Sequence, residues 1–379
     1  MTRRDFLKRA SGAAAATVLA AGGSAAWFLN TPQFGRKPSK NRLERIISSP
    51  NWKDGAFRNF EPLSFRATPE AKRSSRFKTM WNFLLGNKSA FSPASPIPVK
   101  KTDLAKIPLD SPSAVWFGHS SCLLTLGSKR ILIDPVFSSY ASPLPFINRA
   151  FPLEYAYYPD DMPEVDLLVI THDHWDHLDY PTLRALYNKV KRIVAPLGVG
   201  EYLEQWGFDP AIITEGDWWE AVDVFPGRLK VTFLPARHFS GRLYRPNQTL
   251  WTAYLFEADG LKVFFSGDGG WGSHINEIAS RIGPVDFAFL ENGQYNPKWP
   301  TCHMAPWETA RTGAVIGAKY VIPIHNCKFA LSEHAWNAPM KDLYAASRDR
   351  NYTLLQPMIG EVVAFDHPTI SRSGWFDPA

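Results

Sequence analysis

Residues 171–180 read THDHWDHLDY, so three histidines and two aspartates fall in six consecutive positions, His172 to His177, straight after the apolar run VDLLVI. Imidazole and carboxylate at this density are the donor set of a zinc-type cation; the alternative is a solvated loop that happens to be rich in both. Backbone geometry separates the possibilities. On an α-helix, residues two apart point about 200° away from each other, and His172 and His174 could not share an ion. In an extended segment they share a face and reach one cation. Asp176 and His177, at the turn into a helix that opens near Pro181, then reach a second.

Two ions need more than four ligands, and further donors follow later apolar runs. LPARHFSG supplies His238 after KVTFL, FFSGDGG supplies Asp268 between glycines that let the backbone turn sharply, and VIPIHN supplies His325 after YVIPI. Any one of these alone is an ordinary strand-end residue. Their joint appearance with the 172–177 cluster is what points to a dinuclear site. Two cations sharing a water lower its pKa towards neutrality, which is hydrolytic chemistry.

Ligands of this kind sit where strands end in α/β proteins, so strands must carry them. Apolar or β-branched runs occur at 115–117, 122–126, 130–134, 165–170, 192–195, 230–234, 252–257, 262–266, 285–290, 320–324 and 361–365. Helical patterns intervene. One opens at Pro181, a residue tolerated at the first helical position, with Leu183, Leu186, Tyr187 and Val190 on one face; others cover 198–206, 273–282, 305–317 and 338–348. Early strands come as hairpin neighbours and later ones alternate with helices, which predicts mixed sheets covered by helices.

HDHWDH matches the His-x-His-x-Asp-His motif of the metallo-β-lactamase fold. With GHSS (118–121), ILIDP (131–135), PARHFSG, SGDGG and PIHN, the chain resembles the branch that contains N-acylphosphatidylethanolamine-hydrolysing phospholipase D. Similarity runs from about residue 56 to 365. The resemblance implies an α/β four-layer αβ/βα sandwich of two mixed sheets flanked by helices, with His172, His174 and His238 on one metal. It implies Asp176, His177 and His325 on the other, with Asp268 bridging both. Asp134 resembles a carboxylate that orients a ligand histidine, and His119 a support for the site floor. His303 matches a histidine that lies beside the metals, where it would stabilise phosphoryl-oxygen charge or protonate a leaving alkoxide. Gly269 departs from the Thr or Ser that commonly follows the bridging aspartate. Zinc is the default for such ligation, and iron or manganese fits the same residues.

The chain has 379 residues, 45% of them hydrophobic, enough for a large core. Residues 1–101 carry 19 Lys and Arg against 5 Asp and Glu, and the rest carry 23 against 31. The basic excess therefore belongs to the N-terminal part. An acidic body argues against nucleic acid as a partner, and the short intervals between Asp268, His303 and His325 leave no room for a nuclease's inserted domain. TRRDFLK (2–8), the apolar stretch Ser11–Leu29 and Ser24-Ala25-Ala26 resemble a twin-arginine export signal, cleaved or retained as an anchor. That implies the twin-arginine translocase as a partner and a periplasmic or outer-face location. The expected organisation is a leader over 1–29, a basic arm over 30–112 and a catalytic domain over 113–379. Residues 31–65 read as an extended arm, and Phe77, Met80, Trp81, Leu84 and Leu85 predict a basic amphipathic helix over 70–88 that packs on the body or contacts lipid. Three cysteines are too few for a disulfide framework; Cys302 and Cys327 read as free buried thiols. The expected activity is a phospholipase D-type phosphodiesterase with two divalent cations. The alternatives are a lactonase or other small-ester hydrolase of the same fold, and a non-catalytic envelope protein that binds metal or lipid.

Overall fold

A computed structural model describes residues 27–65, 88–242 and 246–377. The helix expected over 70–88 lies outside the described residues apart from its last position, and so does the expected leader apart from residues 27–29. Among the described residues no helix is long and apolar enough to cross a membrane.

Two seven-stranded sheets face each other. One has the spatial order Val362–Ala364, Ser113–Trp116, Cys122–Leu126, Lys129–Ile133, Leu167–Val169, Ile193–Pro196, Ile213–Gly216. The other has the order Thr353–Leu354, Tyr320–Ile324, Phe287–Glu291, Leu261–Phe265, Ala253–Ala258, Leu229–Leu234, Ala221–Phe225. Each is half antiparallel and half parallel. In the first, pairing is parallel from Lys129–Ile133 to Ile213–Gly216; in the second, it is parallel from Leu261–Phe265 back to the Thr353–Leu354 edge. The expected mixed sheets are present.

Side chains alternate across each strand, so period-two apolar runs feed two different layers. Leu124, Ile131, Ile133 and Val169 point inward and meet Phe233, Tyr254, Phe265 and Phe289 from the opposite sheet. Their neighbours Leu123, Leu132 and Leu168 point outward and pack with Leu183 and Leu186 of the helix Tyr180–Leu186. Phe264, Ala288 and Leu290 do the same on the far side against Ile275 and Ile278 of the helix Ser273–Ile282. Each fully buried Leu, Ile, Val or Phe among them contributes about 1.5–3 kcal/mol. The result is helix, sheet, sheet, helix. Tyr187 departs from its expected face: the helix ends at Leu186 and a 3-10 turn carries Tyr187 outward, 39% exposed.

The N-terminal part corrects the expectation of an extended arm. Residues 40–47 form a helix (Lys40–Ile47), and Trp52–Lys53 pairs with Ala56–Phe57. Both lie against the body, with Ile46 and Phe57 buried among Trp218, Leu250 and Trp251. Arg42 supplies the reason. Its guanidinium reaches Glu201 (2.7 Å), Glu204 (2.5 Å) and Glu215 (2.6 Å), and Arg36 also meets Glu201 (2.5 Å). Basic arm and acidic body neutralise one another.

Candidate metal centre

The strands Lys129–Ile133, Leu167–Val169, Leu229–Leu234, Leu261–Phe265 and Tyr320–Ile324 all deliver their C-terminal ends to one edge of the sandwich. There the chain turns through Asp134, His172–His177, His238, Asp268 and His325. His172 Nε2 and His174 Nδ1 lie 2.9 Å apart, and His174 Nδ1 lies 3.2 Å from His238 Nε2. Asp268 Oδ2 is 3.8 Å from His172 Nε2 and 3.9 Å from His238 Nε2, and 3.0 Å from His177 Nε2. Its Oδ1 is 3.1 Å from His325 Nδ1. Asp176 Oδ2 lies 3.6 Å from His177 Nε2. One carboxylate therefore touches two groups of donors, the arrangement that the resemblance implies.

All seven residues converge, and the cluster has the marks of a cation site. Among the described residues, Nε2 of His177, Nε2 of His325 and Oδ1 of Asp268 are buried and find no hydrogen-bond partner. Burial and the surrounding imidazoles push His172, His238 and His325 well below the usual histidine pKa. Neutral imidazoles aimed at one another beside a carboxylate are a donor set that fits a divalent cation.

The supporting groups hold this arrangement. Asp134, fully buried, accepts from His177 Nδ1 (2.8 Å), the Thr171 hydroxyl (2.6 Å) and the Thr171 amide (2.8 Å). His119 Nε2 meets Asp176 Oδ2 at 2.7 Å, and its ring lies 4.1 Å from that of His325. Its main chain joins the two sheets: the His119 amide donates to Asn326 O, and the His325 amide donates to His119 O. His119 (φ 52°), Asp134 (φ 42°) and His325 (φ 66°) all sit in the left-handed region.

Several participants were not expected. Glu291, the last residue of Phe287–Glu291, is fully buried and accepts from His303 Nδ1 at 2.7 Å. Burial pushes its carboxyl up to about 7, against the pull of His303. Burial also disfavours the His303 cation, but Cys302 and Glu291 outweigh it and hold His303 well above the ordinary imidazole range. The only trace of Glu291 in the sequence is an acid closing the apolar run FAFL. Asn59 clamps the His238 peptide group from both sides, at 2.7 and 3.0 Å. Arg242, buried, donates to Asp173 O (2.6 Å) and Leu178 O and lies 4.2 Å over the Trp175 ring, which shapes the HDHWDH loop. Cys302 lies beside the site, with Sγ 3.6 Å from His238 Nδ1, whereas Cys327 faces Trp336. Both are free and buried.

A cavity of about 530 Å³ opens above the cluster. Its floor includes His174, Asp176, His238, Asp268, His303 and His325; its walls include Phe28, Phe65, Leu144, Ile147, Phe239 and Leu331. Phe28 and Phe65 belong to the N-terminal part, and Phe34 from the same part packs on Trp175 with ring centroids 5.3 Å apart.

Comparison with known proteins places these residues in a family. Residues 129–326 match the description "Beta-lactamase superfamily domain". An uncharacterized protein of Mycobacterium tuberculosis is 35% identical over 336 residues, covering 86% of this chain and 87% of that protein. N-acyl-phosphatidylethanolamine-hydrolyzing phospholipase D 1 of Caenorhabditis elegans is 30% identical over 226 residues, 56% of this chain and 63% of its own length. Among solved structures, CmlA, a diiron β-hydroxylase from Streptomyces venezuelae, superposes with a TM-score of 0.53 at 19% identity, over 67% of this chain and 54% of that one. The chain thus spans less than two thirds of the latter two, and the CmlA likeness is one of fold. With the two facing mixed sheets and the His/Asp cluster at their edge, the chain belongs to the β-lactamase superfamily and has the metallo-β-lactamase fold of its metal-dependent hydrolases.

Proposed function

We propose that this chain is a dinuclear metal-dependent phosphodiesterase that cleaves N-acylated phospholipids in the phospholipase D sense. The observation that carries the reading is the two-faced cavity, with metal-ligating side chains on its floor and aromatic and aliphatic walls above. Such a shape takes an amphiphile, phosphodiester down and acyl chains against the walls. The likeness to a nematode phospholipase D of that specificity supports it.

In this reading His172, His174 and His238 would hold one cation and Asp176, His177 and His325 another, with Asp268 between the two donor groups. Divalent cations bound there would supply a nucleophile at neutral pH and neutralise charge on the phosphoryl oxygens. Asp134 fixes the ring of His177 through Nδ1, which leaves Nε2 for coordination. His119 holds Asp176 in place. His303, at the cavity floor, donates a proton to the departing alkoxide as the phosphorus–oxygen bond breaks, releasing an alcohol and leaving phosphatidic acid. In the same reading the basic N-terminal sequence with its Arg3-Arg4 pair serves export and contact with anionic lipid, and the body works in the periplasm or on the outer face of the cytoplasmic membrane.

The test is turnover of N-acylphosphatidylethanolamine in mixed micelles by protein loaded with zinc, manganese or iron. Release of the N-acyl alcohol that falls to background in Asp268→Asn and His177→Ala is expected. Turnover that survives both substitutions, or hydrolysis of lactones without any of the phosphodiester, overturns the reading.

A further inference from the structure

We infer that Glu291 is a positioning residue for this reaction, a bracket that fixes the His303 tautomer and ties His303 to the Asp268 turn; the reaction itself rests on the function proposed above. Glu291 closes the strand Phe287–Glu291 and is fully buried beneath the cavity floor. Its two oxygens serve two different loops. Oε1 accepts from His303 Nδ1 at 2.7 Å and from the Met304 amide at 3.3 Å. Oε2 accepts from the Gly269 amide at 2.6 Å.

Each end of the bracket has a consequence. With Nδ1–H given to a carboxylate, the nitrogen His303 has left for a substrate is Nε2. A ring held this way delivers a proton in one direction. At the other end, Gly269 follows Asp268 directly, so a single side chain sets the spacing between the proton donor and the carboxylate shared by the two donor groups. The loops are locked by an independent contact. A Cβ on Gly270 would lie 2.0 Å from Thr301 O, so the Asp268 turn and the loop leading into His303 touch through bare backbone. The rest of Glu291 is fastened too: its amide donates to the Ser266 hydroxyl (2.8 Å), and its carbonyl accepts from the Thr309 hydroxyl (2.8 Å).

The experiment compares Glu291→Gln, His303→Gln and the double variant, each assayed on a phosphodiester with an alkyl leaving group and on one with a p-nitrophenyl leaving group. On the alkyl substrate Glu291→Gln should lower kcat by about 10–100-fold, the range for removing such a supporting partner, with KM and bound metal unchanged. On the p-nitrophenyl substrate, whose leaving group departs without a proton, the loss should shrink to under about threefold. In the His303→Gln background the second substitution should cost nothing further, because the two residues act as one unit. Nitrogen-15 spectra of histidine-labelled protein give a readout independent of turnover: His303 Nδ1 should carry a proton in the unmodified protein and exchange it faster in Glu291→Gln. Equal losses on both leaving groups, additive losses in the double variant, loss of metal, or an unprotonated His303 Nδ1 would each overturn the role of Glu291. If the unmodified protein turns over neither phosphodiester while His303 Nδ1 is protonated as described, the bracket stands as geometry and the reaction assignment is what fails.

Discussion

Arg42→Met is the most informative change outside the site. Arg42 is 11% exposed and meets three carboxylates, of which Glu201 and Glu215 are themselves nearly buried. Glu215 also accepts from the Gly198 and Gly200 amides, so it cannot swing away to water without breaking those bonds. An exposed ion pair contributes about 1 kcal/mol or less, and breaking a buried one costs about 3–5 kcal/mol. A largely buried triple contact with one more open partner, Glu204, sits at the low end of that range, at about 3 kcal/mol. Unfolding entropy of about 2.1 cal/mol/K per residue gives about 0.8 kcal/mol/K for a chain of this length, so the midpoint should drop by about 4 °C. The effect has a pH signature. Burial disfavours the Glu201 carboxylate, but the Ser39 amide, Arg36 and Arg42 outweigh it and hold its pKa below the ordinary value. A depressed folded-state pKa stabilises above the unfolded value of about 4.3, and that stabilisation is lost as pH falls through the folded value. Scanning calorimetry at pH 7 should therefore separate variant and parent, and the separation should narrow as pH falls through the folded-state value of Glu201. A midpoint at pH 7 within about 1 °C of the parent would refute the claim that this cluster pins the N-terminal part to the body.

Asp134→Asn keeps the shape of the side chain that orients His177 and removes its charge. Metal retention, read by competition with a chelator, should weaken by about 10–100-fold, and unchanged retention would show that Asp134 serves the fold alone. His274 is buried beside Arg237, and burial first, then that charge, pushes its pKa down to about 4. Because the folded value lies below the unfolded one, its contribution is complete above pH 6.5 and drains away as pH falls towards 4, by up to about 3 kcal/mol at about 1.36 kcal/mol per unit. His274→Asn should flatten the stability profile in that window, and a profile of unchanged slope would contradict the assignment.

The metal cluster could be read from the chain because its chemistry is local: alternate histidines in an extended segment share a face, and each remaining donor directly follows an apolar run. The helix Ser273–Ile282 was equally plain, bounded by Gly272 and Gly283. What escaped was either short or distant. The strands Ile213–Gly216, Ala221–Phe225 and Thr353–Leu354 are edge or near-edge elements with partly exposed faces, so no apolar run announces them. The helix Lys40–Ile47 is held by arginines and a buried Ile46 whose partners lie far along the chain, about 160 residues away for Arg42 and Glu201. Asn59 and Arg242 act on main-chain atoms, 179 and 69 residues distant, and an asparagine or arginine carries no mark of such a target. Glu291 looked like the polar end of a strand because its partners, Gly269 and His303, meet it only after folding.

Left-handed main chain at His119, Asp134 and His325 carries a cost of roughly 1 kcal/mol per residue for anything but glycine. Glycine at any of the three would relieve the backbone and erase the imidazole or carboxylate that the position exists to present. Selection for heat resistance alone would therefore drift towards an inert protein at these positions. The hydrolase keeps its working groups on the conformations its chain least favours, and the surrounding core sets how much of that tension it can tolerate.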